Sequence, residues 1–585
     1  MRARAIALGA LGCAAALAAL GCRCVGGEAK TRGGIPQGRP CDCSHHPLAG
    51  RLDALARAAR VTDDGPARDG GRLVVHLEAE PPHLMSLVRS DAWIRRLTGH
   101  EVFESLVRTD PRTMEVVPEL AESWETSPDG LRIVFHLRHD VLFHDGTPLS
   151  ARDVEFTFDR VFDPSVTADS LREDLKVVRS VKATSDYDVE LLVERPYFLL
   201  FETLGFVPIL PRHVYATGDL NKHPANRAPV GSGPFRFETW DTGEQIVLRR
   251  NERWWGGRAH LDEIVFRVVR DRAIGYQMAK RGDIDLLPRV TPDQVEEYLA
   301  DPAMVARFAP VTLDTPDFAY LGFNTRRAPF TDPRVRRAMT MLVDRGAILC
   351  SLERCLSHIV AQPWPDGHPA HDPSIEPLPY DPAAALALLA EAGWVDHDDD
   401  GLLDRGGMPF RFTLLVAVQS KTIQQMATIV QQDLAMAGIE MDLALLDWSV
   451  FSERCRKHEF DVAAGMWSLR WENDFFGIFS TGGAQNYGQW SDPLADRILQ
   501  DARAVLDPAE RNARFRELAR EIDREQPYVF TFSPRVVSLV DRRLVGARPS
   551  LEWFRLPALG WRDGPVPDGE RAPTTPATTG TEARP

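Results

Sequence analysis

Hydrophobic positions along the chain switch between two periods. In LRIVFHLR, Leu131, Ile133, Phe135 and Leu137 occupy every second position, which predicts a half-buried strand. The stretch VLFHDGTPLSARDVEFTF follows at 141–158. Its Asp145-Gly146 pair supplies a tight turn, and Pro148 stiffens the chain beyond it. Ser150 stands three residues before Asp153, the pattern of a capping box, and Val154, Phe158, Val161 and Phe162 then recur at helical spacing. The stretch therefore reads as a strand–turn–helix joint rather than a catalytic or metal constellation, with His144 packing or hydrogen-bonding in the turn.

Further along, the helical period dominates. TDPRVRRAMTMLVDRGAIL has Asp332 as a cap, Pro333 at the first helical position, and a stripe of Val335, Ala338, Met339, Leu342 and Val343. YDPAAALALLAEAGW repeats the device, with Asp381 capping, Pro382 starting and Gly393 stopping the helix. FRFTLLVA, a helix carrying Ile423, Met426, Val430 and Leu434 up to Gly438, and IEMDLALL then follow in order. Strand, helix, strand with short joins is a βαβ unit, which implies parallel strands and a right-handed crossover. The class is α/β. At 585 residues the chain is too long for one simple core, so two or more lobes are expected.

The ends lack this periodicity. Arg2 and Arg4 precede the apolar run AIALGALGCAAALAALGC, too short and too rich in Ala and Gly for a membrane anchor, which predicts a processing signal over 1–22. Its last residues, ALGC, resemble a bacterial lipobox whose Cys22 becomes the lipidated N-terminus, with Ala19 standing where leucine is usual. Ordinary cleavage and release is the alternative, and either route exports the chain. Residues 23–70 read as a flexible tether with one short helix near HPLAGRLDALARAAR. Residues 563–585 form a Pro/Thr/Gly tail that cannot bury enough apolar surface to fold, leaving a body of about 71–562.

Charge and chemistry narrow the function. A net charge of -15 argues against a nucleic-acid partner. No G-x-S-x-G elbow, H-E-x-x-H, P-loop or G-x-G-x-x-G after a strand appears, so the chain does not read as an enzyme. Export leaves Cys24, Cys41, Cys43, Cys350, Cys355 and Cys455, whose 15 pairings the sequence cannot decide, although Cys350 and Cys355 are near enough for a local disulfide. CDCSHH at 41–46 has soft-metal residues but no second ligand pair. In DHDDDGLLD, Asp396, Asp398, Asp400, Gly401 and Asp404 match the first nine positions of a calcium loop, while Gly407 stands at the twelfth, where a bidentate Glu is needed. The stretch reads as an Asp/Gly surface turn, with a Ca²⁺ site on Asp396, Asp398, Asp400 and Asp404 as the alternative. No other cofactor is expected.

These stretches, together with HEVFESLVRTDPRTMEVVPELAESWETSPDG before them and VPILPRHVY, PVGSGPFRFETWDTGEQIVLRRNERWWGG, LDEIVFRVVRD, YLGFNTRRAPFTDPRV, NYGQWSDPLADRIL and FRELAREIDREQPYVF after, resemble the extracytoplasmic solute-binding proteins of family 5 over about 72–560. The resemblance implies the two-lobe periplasmic-binding-protein (type II) fold with a hinge. Lobe I would span 71–270 with an inserted subdomain at 116–206, lobe II 271–529, and the chain would return to lobe I over 530–562. It also implies a periplasmic or cell-envelope protein that captures a peptide or other small polar solute by lobe closure and delivers it to the permease subunits of an ABC importer. Such a protein would be monomeric and held at the membrane by its lipid. Peptide-binding members place an amine-binding aspartate in W-x-x-D shortly before a second Asp. In MWSLRWENDFFGIFS, if Asp474 is that second Asp, the position falls on Arg470 or Trp471, with Glu472 adjacent. Arg470 favours an acceptor-rich or anionic ligand, and Trp471 offers a cation–π face. The ligand residues implied are Trp467, Arg470, Trp471, Glu472, Phe475, Asn486, Tyr487 and Asn324, with Gly231, Ser232 and Gly233 from GSGPF. A ligand-sensing accessory lipoprotein and a secreted hydrolase on the same fold are the other readings.

Overall fold

The alternation at 131–137 is a strand in the computed structural model, Arg132–Leu137, with Ile133, Phe135 and Leu137 each at most 1% exposed. The model describes residue 43 and residues 47–62, 67–88, 92–110, 113–547 and 559–562. The leader with Cys22, most of CDCSHH, and the 563–585 tail lie outside the described residues. No helix among the described residues is long and apolar enough to cross a membrane.

Beyond the strand, the joint folds as its residues dictate. Gly146 takes φ +94°, in the left-handed region, and lets the turn close. Ser150 and Asp153 form the capping box of the helix Ala151–Phe162, which buries Val154, Phe158 and Val161. This helix covers a four-stranded sheet ordered Ala121–Thr126, Arg132–Leu137, Asp188–Val193, Val178–Ala183.

The first lobe is built on a seven-stranded sheet, in the order Phe308–Asp314, Arg535–Asp541, Leu286–Leu287, Arg72–Leu77, Glu263–Val268, Gln245–Arg250, Phe235–Asp241. Its first member corrects the boundary drawn at 270. Phe308–Asp314 pairs antiparallel along its whole length with Arg535–Asp541, so the chain leaves this lobe only after Asp314. Pairing with the returning strand gives the inward-facing backbone groups of this edge strand their hydrogen-bond partners.

The second lobe carries a five-stranded sheet, Glu440–Leu446, Arg411–Ala417, Val462–Trp467, Phe318–Phe323, Tyr528–Phe530. Arg411–Ala417 runs parallel to Glu440–Leu446 through the helix Lys421–Met436, the expected βαβ unit. Asp332 and Asp381 cap the helices Pro333–Leu342 and Pro382–Glu391, which pack against one another. Two segments, 315–317 and 531–534, join the lobes and bind each other. Thr315 Oγ1 donates to the Pro534 carbonyl at 3.1 Å, and Ser533 Oγ to the Thr315 carbonyl at 2.8 Å. They are the hinge.

Two expectations about the ends of the body change. The helix expected within the tether forms at Pro47–Thr62, but it is docked, with Leu52 fully buried beneath the first lobe's sheet. The Cys350–Cys355 disulfide is not formed: Cys355 is bonded to Cys43, 312 residues earlier, and Cys350 is disulfide-bonded elsewhere. Cys350 and Cys355 do lie together, with their sulfurs 3.2 Å apart. Short spacing predicted the proximity, but not that the N-terminal segment would reach the same place.

Candidate ligand site between the lobes

The strands Arg411–Ala417, Glu440–Leu446 and Val462–Trp467 run in the same direction, so their carboxyl ends share one edge of the second lobe. In open α/β sheets that edge is where ligands bind. Arg470 lies just past the last of these strands and reaches the first lobe. Its guanidinium pairs with Asp174 at 3.2 Å and stands 4.3 Å over the Phe206 ring. With Ser86, Leu87, Arg95, Thr167, Asp169, Ser170 and Phe206 of the first lobe it lines an open crevice.

Beneath it, four rings stack in series. Tyr528 and Tyr320 are 4.7 Å apart, Tyr320 and Trp467 5.8 Å, and Trp467 and Tyr487 6.1 Å, the last two pairs nearly parallel. Glycine at 465 leaves room for the Tyr320 ring, since a side chain there would meet its hydroxyl at 3.0 Å. Trp467 and Tyr487 are the half-buried members of this stack.

The carboxylates nearby are engaged. Asp474 pairs with Arg503 at 2.7 Å and accepts from the Tyr197 hydroxyl at 3.2 Å, a second contact between lobes. Glu472 faces Arg511 at 3.6 Å, and burial pushes its carboxyl above the usual range. Both carboxylates are thus paired with arginines of their own lobe. Trp471 packs at 4.9 Å against His368.

Four further expectations become scaffold. Phe475 is 1% exposed, wedged against Trp364 at 4.9 Å. Asn486 is buried, donating to the Ser480 and Trp490 carbonyls and accepting from the Trp490 amide. Asn324 donates to the His458 and Phe460 carbonyls and fixes the start of the Val462–Trp467 strand. Gly231, Ser232 and Gly233 are pressed against 101–104: a side chain at Gly231 would collide with the Val102 carbonyl oxygen, and one at Gly233 with that of Glu101. Ser232 Oγ donates at 2.7 Å to Glu104, which also accepts from Trp254 and Trp255 at 2.9 and 2.8 Å. Burial, with Glu119 nearby, holds the Glu104 carboxyl up to about 8.

His144 completes this knot. Its Nδ1 accepts from the Gly231 amide at 3.2 Å and its Nε2 donates to the Gly233 carbonyl at 3.0 Å, so the ring must be neutral. Burial lowers its pKa to about 4, as it does for His368. The unfolded chain protonates histidine near 6.5. The stability these rings contribute is therefore complete above that value and is lost as the pH falls through about 4. The melting temperature is expected to drop across this window, with about 2 kcal/mol assigned to His144. A pH series on the parent and on His144→Gln, in which the drop should be smaller, checks it.

At the calcium-like loop, Asp396, Asp398 and Asp400 bring carboxylate oxygens within 4.8 Å of one another. Asp404 does not join them, because it accepts from the His397 amide and ring at 3.1 Å and from the Gly407 amide at 3.3 Å. Three carboxylates could hold a hard cation, but the ninth position is spent on the turn.

One residue escaped the sequence reading. Trp448, which opens the helix Trp448–Arg456 directly after Glu440–Leu446, is 61% exposed at the carboxyl edge of the sheet. A tryptophan just after the carboxyl end of a parallel strand was the available signal.

The model of the bacterial extracellular solute-binding proteins, family 5 middle region, matches residues 115–489, more than half of the chain. The oligopeptide-binding protein AppA of Bacillus subtilis is 28% identical over 484 residues, covering 80% of this chain and 87% of that protein. Heme-binding protein A of Haemophilus influenzae is 25% identical over 460 residues, 74% of this chain and 81% of its own length. The structure of Bacillus subtilis AppA with a nonapeptide superposes with a TM-score of 0.69 at 27% identity, over 85% of this chain and all of that one.

Proposed function

This chain belongs to the bacterial extracellular solute-binding proteins of family 5, and from that premise we propose that it captures a solute bearing a carboxylate or similarly acceptor-rich end and hands it to the permease subunits of an ABC importer. The observation that carries this reading is Arg470, held at the meeting of the lobes by Asp174 and the Phe206 ring. A guanidinium offers a planar fork of donors that matches a carboxylate, and closure of the lobes around it excludes water and strengthens the bond. The named relatives bind an oligopeptide and heme, two ligands that share carboxylates and apolar surface. Trp467, Tyr487 and Trp448 would receive that apolar surface, and Arg470 the charge. Asp474 and Glu472, paired with arginines of their own lobe, leave the ligand's amine without a dedicated carboxylate from this stretch.

Closure fits the arrangement of contacts. Arg470–Asp174 and Asp474–Tyr197 cross from one lobe to the other, while the hinge strands bind each other. A ligand that adds contacts to both lobes shifts the balance toward this state. Calorimetric titration with matched peptides tests the reading: a free C-terminal carboxylate should bind more tightly than its amide, and equal affinities would contradict it.

The anchor is part of the same reading. Lipidation at Cys22 would keep the protein at the cell envelope near its permease. Cys22→Ala is expected to move the protein from the membrane fraction to the soluble fraction. Membrane association that survives the substitution would refute the lipid.

A further inference from the structure

Arg470 meets a second arginine at the boundary between the lobes. Arg95, in the first lobe's helix Ala92–Thr98, lines the crevice that Arg470 enters. Both guanidiniums stand against one ring: Arg95 is 5.8 Å from the Phe206 centroid and Arg470 4.3 Å. The acids close by are already paired. Asp174 holds Arg470 at 3.2 Å through Nη2, and Asp169, another residue of the crevice, pairs with Arg172 at 2.6 Å. Among the described residues the Arg470 side chain makes no other hydrogen bond, so most of its fork of donors stays available. Burial, then the like charges of Arg289 and Arg95, lowers the pKa of the neighbouring Arg96, so cations crowd this wall of a chain whose net charge is -15. Ser86, Thr167 and Ser170 line the same crevice. None of their hydroxyls is bonded to another described residue, although Ser86 is only 9% exposed.

We propose that Arg95 is a specificity-determining residue, the first lobe's half of an anion clamp whose other half is Arg470. The inference rests on the reading of the ligand as a carboxylate-bearing solute enclosed by the lobes. Two guanidiniums brought together by closure repel one another, and the repulsion strengthens as water leaves the crevice. Asp174 offsets it on the side of Arg470 only. A carboxylate has two oxygens, each able to accept from a different guanidinium, so one acidic group answers both lobes at once. A neutral end of the same size leaves the two cations facing each other and opposes closure. The charge of the solute, and not its fit alone, thereby decides which ligands complete closure. The net negative charge of the chain repels anions at long range, and the pair of arginines reverses this inside the crevice. Ser86, Thr167 and Ser170 supply hydroxyl donors for the oxygen positions that the arginines leave.

Calorimetric titration of the full-length parent, Arg95→Gln and Arg95→Lys with the peptide Ala-Phe-Ala, as free acid and as C-terminal amide, tests the clamp. Arg95→Gln should bind the acid about tenfold more weakly than the parent and the amide as well as the parent does. Arg95→Lys keeps the charge and loses the fork, so its loss on the acid should be smaller, about threefold. A Gln variant with the parent's full preference for the acid would overturn the clamp. Equal weakening of acid and amide would overturn it too, because it marks Arg95 as a contact between lobes and nothing more. Should Arg95→Gln fail to fold, Arg95→Lys decides, and unchanged binding of the acid refutes the clamp. Inorganic phosphate separates this inference from the reading beneath it. A parent that does not prefer the acid refutes the carboxylate solute, and melting curves in phosphate and in chloride of equal ionic strength then decide the clamp. A gain in melting temperature with phosphate that Arg95→Gln loses supports a clamp for another anion. Equal gains in parent and variant refute it, since they are the general effect of an excluded salt.

Discussion

Arg470→Ala is expected to weaken binding of a carboxylate-bearing solute about 30-fold, the equivalent of ~2 kcal/mol for one charge-assisted hydrogen bond. The loss should fall on the carboxylate alone. Parent protein should prefer a free C-terminal peptide over its amide, and the variant should bind both alike. A control is needed because Arg470 also pairs with Asp174 across the lobes. Asp174→Asn removes that pair and leaves the guanidinium in place. If Arg470 serves the ligand, Asp174→Asn keeps the preference for the free carboxylate. If the arginine serves only to latch the lobes, both substitutions weaken every ligand equally. Calorimetry on the six protein–peptide combinations separates the two.

Gly231→Ala has the largest expected effect on stability. A side chain at this position runs into the Val102 carbonyl oxygen, and the neighbouring bonds, Gly233 amide to Val102 and Phe235 amide to Glu101 at 3.0 and 2.9 Å, hold the strands too close for it to move aside. Overpacking against rigid backbone costs about 3 kcal/mol or more, which should lower the melting temperature by roughly 3 °C or more for a folded body of this size. Ser232→Ala, which removes one hydrogen bond to Glu104, should cost about 1 kcal/mol. Below its transition the Gly231→Ala protein should bind solute as the parent does, because the loop's close contacts are with 101–104 of its own lobe. Calorimetric scans and titrations of both variants check this.

How much of this was legible in the sequence follows from how locally each feature is determined. The joint at 141–158 was readable because turn, cap and helical stripe all lie within one short stretch, and the same holds for the helices capped by Asp332 and Asp381. The crossing point between lobes was not. Phe308–Asp314 belongs to the first lobe only because Arg535–Asp541 returns to pair with it from more than 200 residues away. Cys43 was invisible for the same reason, since its partner lies 312 residues on.

At the site, residue type was a poor guide by itself. Asn324 and Asn486 resemble ligand contacts in a motif, but buried amides in loops are usually spent on backbone carbonyls, and both are. Phe475 is a core ring beside half-buried Trp467 and Trp471, a distinction made by the direction of the loop and not by its composition. Arg470 stood out because an arginine occupies a place where a carboxylate was expected, and it does reach the boundary between the lobes.

The proposed function requires the protein to hold a carboxylate-bearing solute between its lobes. Native mass spectrometry of gently purified protein, followed by release and fragmentation of whatever it carries, tests that most directly. Ligand at 100 times its Kd stabilises the bound form by ~2.7 kcal/mol, so a tightly held solute survives purification. The account predicts released species that carry a carboxylate or comparable acceptor group and are depleted from the Arg470→Ala protein. A cationic or neutral solute without such a group, retained equally by parent and variant, would contradict it.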